Sequence, residues 1–119
     1  MIAITGAGEY LDIIRPYDEI LLNKLKDDPY VLCFPTAAGL ESKDRIQYWL
    51  DLGDDHFTKL NVNHKSIRAL NVDDYNKPET LAEIEKANFI YFSGGNPNHL
   101  YDTLSSSLAW EKLLTIHNK

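Results

Sequence analysis

The segment Phe89-Ile90-Tyr91-Phe92-Ser93-Gly94-Gly95-Asn96-Pro97 constrains this chain more than any other. Four consecutive large apolar residues show no alternation, so a strand built from them needs cover on both faces, as in a parallel sheet buried between layers of helix. Gly-Gly then breaks the run. Asn followed by Pro has the chemistry of a helix N-cap and first helical position. The turn therefore stands at the carboxyl end of a strand, where open parallel sheets bind their ligands. Glycine backbone there admits close approach, and N–H groups at a helix start point toward negative charge. Gly94, Gly95 and Asn96 are thus a candidate oxyanion-binding turn, and no nucleophile accompanies them.

Other apolar runs repeat the pattern. Residues 2–5 form a first strand, followed by Gly6-Ala7-Gly8-Glu9, and Pro16 opens a helix with Tyr17, Ile20, Leu21 and Leu25 at three- and four-residue spacing. Residues 30–34 form a second strand that runs into Pro35-Thr36-Ala37-Ala38-Gly39. Ser42 caps the next helix, whose apolar stripe is Ile46, Trp49, Leu50, Phe57 and Leu60, with Gly53 thinning or ending it. Residues 67–72 are a weaker strand placed near the sheet edge by Arg68 and Asn71, and residues 73–77 are a turn. Pro78 starts a helix with Leu81, Ile84 and Ala87, and the fourth strand follows from Asn88. A brief helix with Leu100 and Leu104, a Ser105-Ser106-Ser107 break and a helix with Trp110, Leu113, Leu114 and His117 complete the chain. This alternation predicts an α/β domain of four mostly parallel strands with flanking helices in three layers. At 119 residues it is one domain, and no repeat or linker divides it.

With 12 basic and 18 acidic residues the net charge is −6, and no Lys/Arg cluster is present, which argues against nucleic acid and anionic membrane as partners. The apolar run at the N-terminus is too short for a signal h-region or a membrane span. The single cysteine, Cys33, lies inside an apolar run, so no disulfide framework exists and a reducing, cytoplasmic location is expected.

Three turns in this order carry a resemblance. Gly6-Ala7-Gly8-Glu9 after the first strand, Phe34-Pro35-Thr36-Ala37 after the second, and 89–97 followed by a Leu-rich helix resemble the N-terminal half of the dipeptidase E and cyanophycinase family of serine peptidases. The resemblance implies a class I glutamine amidotransferase-like, flavodoxin-like fold and hydrolysis of small, Asp-containing peptides without a cofactor or metal. It carries Gly94, Gly95 and Asn96 over as the oxyanion-hole and substrate-facing turn, with the N–H of Gly95 or Asn96 as donor. In the family a Gly-x-Ser-x-Gly elbow and then the catalytic acid and histidine follow the segment matching residues 110–119. By chain order none of His56, His64, His99 or His117 matches the catalytic imidazole, so no catalytic residue is assigned within the chain. Two functions stay open: the N-terminal part of a serine-type peptidase, or a catalytically inactive half-domain that binds or supports.

Plainer readings compete for individual residues. Gly6-Ala7-Gly8 could begin a dinucleotide fingerprint, but Leu11 occupies the third glycine position and the next helix starts late. Cys33 is read as core, since it lacks a glycine-flanked elbow, and Ser93 as a loop hydroxyl, since Phe92 precedes it. Asp54-Asp55-His56 with His64 reads as a solvated helix end rather than a metal site, and Trp49 and Trp110 as packing aromatics. Without a following strand, residues 88–93 are expected to form an exposed apolar edge, inviting a second copy or a C-terminal partner.

Overall fold

A computed structural model describes residues 1–4 and 10–117. Four strands, β1 (Ile2–Ile4), β2 (Tyr30–Phe34), β3 (Asn63–Ser66) and β4 (Phe89–Phe92), run parallel in the spatial order β1-β4-β2-β3. Six helices connect and cover them: α1 (Arg15–Leu22), α2 (Lys43–Lys59), α3 (Val72–Tyr75), α4 (Pro78–Lys86), α5 (Pro97–Ser105) and α6 (Ala109–His117). A 3₁₀ turn, Thr36–Ala38, follows β2. Helix starts follow the expected capping chemistry, with the Ser42 hydroxyl accepting from Arg45 N–H at 3.2 Å and Pro16, Pro78 and Pro97 in the first turns.

Alternation along the central strands splits their side chains between two layers. Leu32, Phe34, Ile90 and Phe92 pack with residues of α3 to α6, including Tyr75, Ile84, Leu104 and Leu113. Val31, Cys33, Phe89 and Tyr91 pack on the other face with Leu22 of α1 and Phe57 of α2. Every residue of β4 is buried, which is why this run is apolar throughout.

The expectation that residues 88–93 form an exposed edge is wrong. Strand β4 lies between β1 and β2, with Ile90 level with both Ile2 and Leu32. The connection from β1 to β2 leaves one strand position between them, and the chain returns to fill it, so the last strand in sequence is central in space. The sheet's edges are β1 and β3.

The third strand is also displaced from the expected residues 67–72. It pairs Tyr30 to Cys33 with Asn63 to Ser66, and Ile67 adds one last bond from its N–H to Cys33 O at 2.9 Å. An edge strand needs no double apolar cover: Asn63 and Lys65 are exposed and His64 and Ser66 half-buried, so composition did not mark it. Residues 73–77, expected as a turn, contribute to α3, which Asn71 caps by accepting from Asp74 N–H at 2.9 Å.

Helix α1 is rotated from its expected face. Tyr17 and Ile20 are exposed, while Asp18 and Leu22 are buried. Asp18 accepts a hydrogen bond from His56 Nε2 of α2 at 2.7 Å, with side chains 2% and 1% exposed. His56 is therefore not part of a solvated helix end. The Tyr10 ring stands 5.7 Å from the imidazole, and a Cβ on Gly53 would meet that ring at 3.3 Å, so α2 runs unbroken through a glycine that makes room for Tyr10.

Removing one partner from a buried hydrogen bond leaves the other polar group unsatisfied, at a cost of about 1–3 kcal/mol. Asp18→Ala and His56→Ala are each expected to lose stability of that order in urea unfolding, with the double variant far less destabilised than the sum. Additive losses would show that the pair is not coupled.

Candidate functional site

At the carboxyl end of the sheet, three connections lock onto one another. The turn after β4 is pinned to the turn after β2: Asn96 N–H donates to Ala37 O at 2.7 Å. Gly95 has φ +155°, and a Cβ there would fall 2.4 Å from Ala37 O and 2.8 Å from Ala38 N. Only glycine fits so close an approach in that conformation. The Asn96 side chain accepts from the N–H groups of Asn98 and His99 at 3.0 and 3.1 Å, capping α5 as its sequence position foretold.

The third connection joins from β3. Thr36 Oγ1 donates to Ala69 O at 2.7 Å and accepts from the Tyr75 hydroxyl at 2.5 Å; burial raises the Tyr75 pKa, so the phenol stays protonated and able to donate. His99 Nε2 donates to Leu70 O at 2.8 Å, which fixes the proton on that nitrogen. Gly39 sits where a Cβ would meet Leu70 O and Thr36 O, both at 2.9 Å. These clamps hold the start of α5 against the sheet.

The backbone N–H groups of the turn are not equivalent. Asn96 N–H is committed to Ala37 O, so it is not free for a ligand, while the N–H groups of Gly94 and Gly95 make no backbone hydrogen bond with another described residue. Gly95 is exposed and Gly94 half-buried. Ser93 is buried, and its hydroxyl has no hydrogen-bond partner among the described residues. Gly6-Ala7-Gly8-Glu9, the glycine loop after β1, lies outside the described residues.

An activated hydroxyl requires an imidazole within reach. His99 is held by Leu70 O, and His56 is enclosed with Asp18 beneath the opposite face of the sheet. His64 bonds Val62 O through Nδ1 and approaches Asp54 at 3.7 Å on the β3 edge. Burial pushes the Cys33 thiol up to about 12, the condition of an inert core cysteine rather than a nucleophile. Among the described residues no three His, Cys, Asp or Glu side chains come together to hold a metal, and no helix is long and apolar enough to cross a membrane. Among the described residues, none of these side chains pairs a nucleophile with an uncommitted imidazole.

Two features of this region escaped sequence reasoning. The His99 clamp needs a partner 29 residues away, and local spacing gives no sign of it. The Asp18–His56 pair had a weak signal: His56 lies three residues after Gly53 and beside Phe57, on the inward face of α2.

Gly95→Ala is expected to cost more than about 1 kcal/mol in denaturant unfolding, since the backbone there excludes L side chains and the added methyl strikes a carbonyl. An unchanged midpoint would mean that the turn relaxes freely. Cys33 is expected to resist a neutral-pH thiol reagent until the chain is unfolded, because its thiol is both enclosed and protonated; rapid labelling of folded protein would contradict the packing.

No protein-family model and no curated protein matches the sequence. The chain is similar in structure to a peptidase from an acI-B1 Actinobacterium, with a TM-score of 0.86 and 34% identity over 95% of this chain and 48% of that one. It spans about half the length of that peptidase, and over this half it has the fold of a peptidase domain.

Proposed function

We propose that this chain is the N-terminal part of a serine-type peptidase domain of the flavodoxin-like, class I glutamine amidotransferase-like fold, resembling dipeptidase E. The observation that carries the reading is the glycine turn. It ends the central strand of a sheet shared with a known peptidase, and among the described residues two of its backbone N–H groups make no hydrogen bond at the ligand-binding end. In this reading Gly94 and Gly95 donate to the tetrahedral oxyanion of an amide substrate, and Asn96 shapes the turn rather than donating. The serine that attacks, and the histidine that takes its proton, come from polypeptide beyond Lys119. Small Asp-containing peptides are the proposed substrates, following the dipeptidase E resemblance.

An oxyanion hole without nucleophile and base retains only a small residual rate. Purified residues 1–119 are therefore expected to leave an Asp-containing dipeptide intact under conditions where a complete peptidase hydrolyses it. Turnover by 1–119 that a serine-reactive inhibitor abolishes would defeat this division of labour. The alternative, an inactive half-domain, is favoured by how fully Asn96, His99 and Thr36 are engaged in holding loops together. It predicts no activity even when a Gly-x-Ser-x-Gly segment is supplied.

A further inference from the structure

Among the described residues, the edge strand β1 has one neighbour. Ile90 N–H bonds Met1 O at 2.8 Å, and alternation along the strand then turns the backbone groups of Ile2 and Ile4 away from β4, toward the open side. Ile4 is 65% exposed although it lies in a strand. Beside it runs an apolar groove of about 290 Å³ lined by Ile2, Ile4, Leu104, Trp110, Leu113 and Leu114 among others. Among the described residues, neither Lys, Arg, Asp nor Glu lines it. The opposite edge is different in kind: β3 carries Asn63, His64, Lys65 and Ser66.

The path of the chain says what belongs there. Steps toward β3, from β1 to β2 and from β2 to β3, pass through α1 and α2 on one face of the sheet. The step back, from β3 to β4, passes through α3 and α4 on the other face. Opposite directions on opposite faces keep one hand of crossover, the right hand that parallel connections follow almost without exception. After β4 the chain enters α5 and α6, on the same face as α3 and α4. A strand following them must lie farther in the same direction, and since β1 occupies the next position, the free place is beyond β1. The end of α6 is already positioned for it: the Met1 ammonium donates to Ile116 O at 3.1 Å, so α6 finishes at the amino-terminal end of β1. A strand starting there runs parallel to β1.

We propose that the open flank of β1 seats the polypeptide that completes this domain, which adds a strand parallel to β1 and covers the groove beside α6, a proposal that rests on the peptidase reading above. Of the actinobacterial peptidase, 48% is matched here, and in the peptidase reading the remaining polypeptide is what packs against this half. The added strand would stand about 4.8 Å from β1 and about twice that from β4. Because Ile4 is level with Phe92, its carboxyl end arrives beside Ser93-Gly94-Gly95. A nucleophile carried at that end thus approaches the glycine turn from the β1 side.

The test joins residues 1–119 to the part of the actinobacterial peptidase outside the matched half, and follows amide exchange by NMR beside that of 1–119 alone. The amides of Ile2 and Ile4 are expected to slow by on the order of a hundredfold in the joined protein, with those of β3 unchanged. A folded fusion in which Ile2 and Ile4 still exchange fast, or in which β3 is protected instead, overturns the proposal. Concentration-dependent protection of Ile2 and Ile4 in 1–119 alone would give the flank to a second copy and also overturn it. If the fusion does not fold, binding of an apolar fluorescent dye to 1–119 decides. Ile4→Lys and Leu114→Lys are expected to lower it by about half or more, and Leu40→Lys, exposed elsewhere, to leave it unchanged. Equal dye binding in all three overturns the proposal. Peptide hydrolysis separates the two readings: protection without hydrolysis would sink the peptidase reading alone, and hydrolysis without protection this one alone.

Discussion

The pairing of β4 with both β1 and β2 is the constraint on which the other features hang. Phe89, Ile90, Tyr91 and Phe92 have at most 1% of their surface exposed, and burying side chains of this size is worth about 1.5–3 kcal/mol each before chain entropy is counted. Because successive side chains go to opposite faces, the same four residues anchor both helical layers. A strand fixed from four directions has no freedom at its end, so the glycine turn leaves the sheet at a defined place. That is the rigidity an oxyanion site needs, since preorganised donors act only if they do not have to be reoriented during reaction.

Rigidity at the turn is then extended sideways. Asn96 N–H on Ala37 O, His99 on Leu70 O, and Thr36 on Ala69 O tie the ends of β4, β2 and β3 into one unit. Each bond is modest, about 0.5–1.5 kcal/mol net. Their collective effect is selective: they engage the Asn96 N–H, whereas those of Gly94 and Gly95 have no partner among the described residues. The close seat of Gly95 on the Ala37 carbonyl explains why one position of the turn must be glycine for steric reasons, whatever it binds. The structural demand alone fixes the residue there, and for that reason Gly95→Ala is read out as stability rather than as activity.

How much of this was legible beforehand follows from which signals are local. The strands β2 and β4, the caps at Ser42 and Asn96 and the break at residues 105–107 each declare themselves within a few residues, through apolar runs or capping chemistry. What failed was relational. Strand β3 has no apolar pattern because an edge strand with polar exposed positions needs none, and α1 could not be oriented without knowing that Asp18 meets His56 across 38 residues. The place of β4 in the sheet was misjudged for the same reason: sequence order was taken for spatial order. The turn itself was found, but that its Asn96 N–H is already bonded to Ala37 O could be seen only in the fold.

The misplaced edge has a physical lesson about the site. Had β4 been at the rim, the glycine turn would lie beside solvent, and a nucleophile would enter directly next to it. With β1 interposed, an incoming strand on its open side is separated from β4 by one strand width. Any hydroxyl meeting an oxyanion at Gly94 and Gly95 must therefore project across the end of β1. A strained strand-to-helix elbow, which lifts its residue clear of the sheet, does this, whereas a residue within a flat strand does not.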